Sequence, residues 1–181
     1  MSGRTWRRLV VDASVLRTAG EEAPDAHPAS TACRSVLEKI RNSRHAVVLT
    51  HEMVVEWRNH ASRFSRRWQL EMFSRGRLVD IGSVVVAEDV RELPDQCETE
   101  KKRTAVAKDL HLVIAAFATD KSVLSCDKTA RTYFCELVEA CSRLGAILWL
   151  DPVSEFDETI TWLKDGAKRV KAYQLATRAK K

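Results

Sequence analysis

Four acidic residues carry the chemistry this sequence can do. Asp12 and Asp127 each follow directly on a short apolar run, Leu9-Val10-Val11 in one case and Ser122-Val123-Leu124-Ser125-Cys126 in the other. Asp109 sits inside a helical pattern, and its neighbours three and four positions away are Ala105, Val106, Leu112 and Val113. Asp is a poor mid-helix residue because its carboxylate competes for backbone hydrogen bonds. On an apolar face it is expected to be partly buried, and a buried carboxylate must be paired, hydrogen-bonded or bound to a cation. Glu56 stands one turn into the helical pattern that follows the run Ala46-Val47-Val48-Leu49. Each acid has an ordinary alternative. An Asp after a strand often caps the next helix, and Asp109 or Glu56 could pair with Lys108, Arg58 or Lys128. Taken together, oxygen donors with no ligand His or Cys beside them suit a hard divalent cation, Mg2+ or Mn2+, rather than zinc. Such a site could hold one or two metals and a phosphodiester, with a metal-bound water as nucleophile.

Neighbouring residues offer competing patterns. His51, Glu52, Glu56 and His60 resemble a zinc-protease helix, but position 55, where HExxH needs its second His, is Val. Glu52 is the main rival to Glu56 for a metal role. His111, two residues after Asp109, faces away from it at that spacing and reads as a surface or packing residue. A strand followed by Asp also opens the dehalogenase-type phosphatases. Their general acid two residues on is Ser14 here. A receiver domain would want an acidic pair on another strand before its phosphorylated Asp. The five cysteines contain no CxxC pair, so neither a zinc knuckle nor a disulfide framework is expected. Cys126, Cys135 and Cys141 lie in apolar stretches and read as small buried hydrophobes.

The elements that must position the acids are short apolar runs alternating with helical patterns. Runs at 9–11, 46–49, somewhere within 78–86, at 122–126 and at 146–150 read as strands buried on both faces. Between them, periodicity predicts helices over Cys33–Asn42, Glu52–Phe73, Thr104–Thr119 and Thr129–Arg143, with a last one starting near Ser154 and Asp157 at capping-box-like spacing. The alternation predicts an α/β fold, a single three-layer domain with a central, mostly parallel sheet of about five strands flanked by helices. Ligands bind such sheets beyond the carboxyl ends of the strands, where Asp12 and Asp127 should project. Ala19–Ser30 and the acidic Glu88–Lys102 read as loops, the second of them the mobile one.

In this order and spacing the chain resembles the PIN-domain family of metal-dependent ribonucleases. Leu9-Val10-Val11-Asp12-Ala13-Ser14 is like the family's opening strand, with its Asp and a following Ser, Thr or Asn. Val48-Leu49-Thr50, with Glu56 six residues after the Thr, is like its helix-borne Glu. Asp109-Leu110-His111-Leu112-Val113-Ile114-Ala115-Ala116 is like its third acid on a helix running into small residues, and Val123-Leu124-Ser125-Cys126-Asp127 like its Ser/Thr-x-Asp. The resemblance spans roughly residues 8–150. It implies that Asp12, Glu56, Asp109 and Asp127 bind Mg2+ or Mn2+ and activate water to cleave RNA, with Ser14 and Ser125 as supporting groups. It also implies partners, since many small members are toxins with an antitoxin protein and form homodimers, while others process RNA. An inactive PIN-like RNA-binding or scaffold module is the alternative. The chain then divides into a PIN-like nuclease domain at 1–163, with an expanded helical arm and acidic loop at 57–102, and a basic helix or tail at 164–181.

Charge distribution adds to this. The net +5 separates into basic segments at 57–77 and 164–181 and an acidic one at 85–100. Basic segments suggest a polyanionic partner such as RNA. Arg58, Arg63, Arg66 and Arg67, interleaved with Trp57, Phe64 and Trp68, resemble an RNA-binding face. The seven-and-four spacing of those aromatics also fits one buried helical stripe. No apolar run approaches the ~18 residues of a membrane span. The segment before Asp12 lacks the apolar region of a signal peptide, so a cytoplasmic protein is expected.

Overall fold

The computed structural model describes residues 6–82 and 84–179. The short apolar runs become strands β1 (Arg8–Val11), β2 (Ala46–Leu49), β3 (Leu78–Asp80), β4 (Ser122–Leu124) and β5 (Leu148–Leu150). All pair in parallel, in the order β3-β2-β1-β4-β5. Helices α1 (Ala13–Thr18) and α2 (Pro28–Asn42) join β1 to β2, and α3 (His51–His60) with α4 (Arg63–Ser74) join β2 to β3. Then come α5 (Glu88–Arg91) and α6 (Glu100–Phe117) before β4, α7 (Lys128–Glu136) before β5, and α8 (Phe156–Lys164) and α9 (Leu175–Arg178) after it. Crossovers between parallel strands are right-handed, which puts α1 to α4 on one face of the sheet and α6 and α7 on the other. The contacts agree: α2 packs against α1, α4 and α8, and α6 against β1, β4 and α7. This is the expected α/β architecture of a parallel sheet between helices.

β2 lies on one side of β1 and β4 on the other, so the chain reverses direction across the sheet between β1 and β4. At such a switch point the loops diverge and leave a crevice at the carboxyl ends of the strands. Asp12 and Ser125 are the residues immediately beyond those two strands, and the Asp12 amide donates to the Leu124 carbonyl at 2.9 Å.

Several boundaries differ from the sequence pattern. The stretch 52–73 is two helices rather than one. Ala61 and Ser62 are extended, and Ser62 caps α4 by accepting from the Ser65 amide at 3.1 Å. The break lets Ser62 and Ser65 hydroxyls donate to the carbonyls of Ala19 and Leu16, fastening α4 to the end of α1. Trp57, Phe64 and Trp68 all point into the core, and the Trp57 and Trp68 indole N–H groups donate to the carbonyls of Val11 and Leu37. The aromatic RNA-stacking face is therefore excluded, and the buried-stripe alternative holds. The acidic loop is packed rather than loose. It contains α5 and a 3-10 turn, and buries Val90, Leu93 and Cys97. Thr99 caps α6 four residues earlier than the apolar period suggests, and Pro28 at the first turn starts α2 early. α1, directly after Asp12, has no counterpart in the sequence reading. Ser154 does not cap α8. Its hydroxyl donates to Asp151 Oδ2 at 2.6 Å, and Glu155 takes the cap position.

The basic C-terminal segment is structured wherever it is described; Lys180 and Lys181, like the first five residues, lie outside the described residues. Leu175 is fully buried, its amide donates to the Ile147 carbonyl, and Arg178 and Arg131 both pair with Glu155. Leu175→Ala should therefore lower unfolding stability by about 2–4 kcal/mol in urea titration. A change within about 0.5 kcal/mol is what a solvated tail would give.

Candidate functional site

Asp12, Glu56, Asp109 and Asp127 line a single cleft of about 80 Å³ at the switch point, together with Ala13, Ser14, Arg17, His60 and Lys108. The acids arrive from the end of β1, from α3, from α6 and from the start of α7. Glu52, the rival on α3, lines a neighbouring pocket with Thr50 and His111 instead. Its carboxyl is held below the usual range by hydrogen bonds from its own amide and from the Thr50 hydroxyl.

Asp12 occupies the position before α1 but makes no capping bond. Its Oδ2 instead accepts from the Ser14 hydroxyl at 2.5 Å and the Ser125 hydroxyl at 2.7 Å. Ser14 and Ser125 thus both serve Asp12 as hydrogen-bond donors. Each ties the backbone as well: Ser14 Oγ accepts from the Cys126 amide and Ser125 Oγ from the Asp127 amide, both at 3.0 Å. Asp127 does cap its helix, Oδ1 accepting from the Ala130 amide at 2.9 Å. Its ordinary role is real, and it is compatible with lining the cleft because a carboxylate has two oxygens.

Asp109 is 8% exposed. Burial pushes its carboxyl up to about 6. The negative charges of Asp12 and Asp127 add to the rise, and Lys108 and His111 oppose it. Lys108, the anticipated partner, stands 3.9 Å from Asp109 Oδ1 with its own side chain largely in solvent. His111 is buried on the same helix. Its Nδ1–H donates to the Lys108 carbonyl, and its Nε2 lies 3.4 Å from Glu56 Oε2 without forming a hydrogen bond. Its ring lies against Glu56.

The four candidate RNA-binding arginines do not line the cleft. Arg58 and Arg66 flank a separate apolar groove of about 670 Å³ between α3, α4 and β3, in which Val54, Leu70 and Phe73 are exposed. Arg67 pairs with Glu21, and Arg63 is exposed. The cleft's own basic residues are Arg17, His60 and Lys108. The sequence carried signals for two of them: Arg17 lies three residues after Ser14, and His60 four after Glu56, on shared helix faces.

Among the described residues, no group of three or more His, Cys, Asp or Glu stands in an arrangement that could hold a metal ion. Each acid is engaged elsewhere: Asp12 by two hydroxyls, Asp127 by its helix, Glu56 facing His111, Asp109 near Lys108. What fits a hard cation is the donor type and the charge. Every acid in the cleft offers oxygen, and mutual repulsion already shows in the raised Asp109 carboxyl. No family model, no curated protein and no solved structure matches the chain. Among the described residues no helix is long and apolar enough to cross a membrane.

A carboxyl whose pKa is higher in the folded than in the unfolded chain binds more protons when folded between the two values. Stability then falls as pH rises from about 4 to about 6 and stays lower above. Asp109→Asn, measured in EDTA, should therefore stabilise the protein by about 1–3 kcal/mol at pH 7, with the gain vanishing below about pH 4. Equal stability of variant and parent across this range would show that Asp109 is not electrostatically strained.

Proposed function

We propose that the chain is a Mg2+- or Mn2+-dependent ribonuclease with Asp12, Glu56, Asp109 and Asp127 as its acids. The observation that carries this reading is their arrival, from four separate elements, in one cleft at the switch point of the sheet. When bound, a divalent cation would lower the pKa of a water and stabilise the charge developing on a phosphodiester.

The chain's own residues supply the rest. Ser14 and Ser125 fix the orientation of Asp12, so that it needs no reorganisation when charge arrives. The Ala130 amide does the same for Asp127. Asp109, its carboxyl raised by burial and by the charges of Asp12 and Asp127, is a group whose strain a cation would relieve. Arg17 and Lys108 bring cationic groups to a wall otherwise made mostly of acids, with His60 beside them as a hydrogen-bonding ring, and are positioned to pair with phosphate oxygens. His111 sits behind Glu56 and orients it rather than touching substrate.

One observation favours a second reading, an inactive RNA-binding or scaffold module: the acids are not gathered into a ligand set. The two readings separate cleanly. A ribonuclease should cleave RNA with Mg2+ or Mn2+, stop on addition of EDTA, and lose about 100-fold or more in rate in Asp12→Asn and Asp109→Asn with circular dichroism unchanged. Arg17→Ala should raise KM more than it lowers kcat. Wild-type rates in both acid variants would refute the site. A protein that neither cleaves nor releases heat on titration with Mg2+ or Mn2+ is the scaffold.

A further inference from the structure

All five cysteines are free thiols, and one pair among them is in contact. Cys33, on α2, and Cys126, in the segment joining β4 to α7, have their Sγ atoms 3.5 Å apart. Cys33 is fully buried and Cys126 is partly exposed. Cys126 stands between Ser125, whose hydroxyl donates to Asp12, and Asp127 of the acidic cleft. Its own amide donates to Ser14 Oγ.

We propose that Cys33 and Cys126 are an oxidation site, converted by a small peroxide into a disulfide that displaces the Ser125–Asp127 segment. The effect on catalysis rests on the ribonuclease reading; formation of the bond and the displacement do not. In the first step the Cys126 sulfur attacks the peroxide O–O bond, giving a sulfenic acid, and the departing hydroxide leaves as water with the thiol proton. In the second, the Cys33 sulfur displaces the hydroxyl from that sulfenic sulfur, and its proton leaves with the hydroxyl as a second water. Two thiols are oxidised and one peroxide is reduced.

The structural effect follows from distances. A disulfide needs an S–S separation of about 2.05 Å, so the sulfurs must close by roughly 1.5 Å. Cys33 is anchored in α2, a helix of fifteen residues packed against α1, α4 and α8. Cys126 lies in a segment of a few residues held by the Ser14 and Ser125 hydroxyls, so this is the side that moves. A shift of that size exceeds what those hydrogen bonds tolerate, and Asp12 loses its supports together with Asp127.

The test uses the full chain, reduced, freed of metal, and exposed to hydrogen peroxide. Thiols are then alkylated after denaturation and counted by mass, the cross-linked peptides are mapped, and hydrogen exchange is followed through residues 122–130. The expected result is loss of two thiols, a link between the peptides holding Cys33 and Cys126, and faster exchange at 126 and 127. RNA cleavage should fall about tenfold or more and return with a thiol reductant. Cys33→Ser, outside the cleft, still offers the Cys126 sulfur to the peroxide but has no second thiol to displace the hydroxyl, so it should form no cross-link and keep slow exchange at 126 and 127 through the same treatment. Persistence of all five thiols, a link through Cys97, Cys135 or Cys141, or a Cys33–Cys126 link with unaltered exchange would each overturn the proposal. If the reduced protein cleaves no RNA, the ribonuclease reading fails, while mass and exchange still decide this one.

Discussion

The carboxylate of Asp12 is the constraint on which the site depends. It is almost fully buried, it lies at the end of the central strand, and both hydroxyls that satisfy it come from chain segments that must therefore stay in register. Ser14 is on its own helix; Ser125 ends the adjacent strand, more than a hundred residues away in sequence. A buried acid left unsatisfied costs several times what a hydrogen bond returns, so this contact fixes the seam between β1 and β4 with little tolerance. The amides of Cys126 and Asp127 hang from the same two hydroxyls. One buried charge thus sets the positions of the strand ends, the loop after β4 and the start of α7.

Asp151 is an instructive contrast. It too is a buried Asp directly after a parallel strand, and by sequence it looks like Asp12. Its Oδ1 accepts from the Val153 and Ser154 amides and its Oδ2 from the Ser154 hydroxyl, so its own turn consumes it. It lies at the edge of the sheet, away from the switch point. Position in the topology, together with where the hydrogen bonds come from, separates an acid that ties two strand ends together from one spent on its own turn.

That contrast also explains what the sequence disclosed. The strands were legible because each is a short apolar run, and Asp12, Asp109, Asp127 and Glu56 stood out because each sits where an acid is locally unfavourable or abruptly placed. The break between α3 and α4 was hidden because Trp57, Ala61, Phe64 and Trp68 keep the same spacing across it. The signal for a new helix was a single Ser. In 88–102 and 164–179 the many charged residues concealed a few anchors, among them Leu93 and Leu175, and burial is decided by the anchors. Arg17 drew no notice because a cation in a helix is ordinary until its acidic neighbours are known, and His60 stood out only as part of a zinc pattern that position 55 breaks. The Cys33–Cys126 contact joins residues 93 apart in sequence and had no local signature at all.

The mixed lining of the cleft has a thermodynamic consequence. Carboxylates and cationic groups share one small volume, so a divalent cation among the former and a phosphate against the latter are not independent ligands. Each screens the charge that opposes the other, and linkage requires that whatever factor one contributes to the second's affinity is returned in full. The cleft in isolation repels a polyanion through its acids and attracts it through Arg17 and Lys108. Under the proposed function, its response to nucleic acid would be set by the ionic composition around it as much as by its own residues.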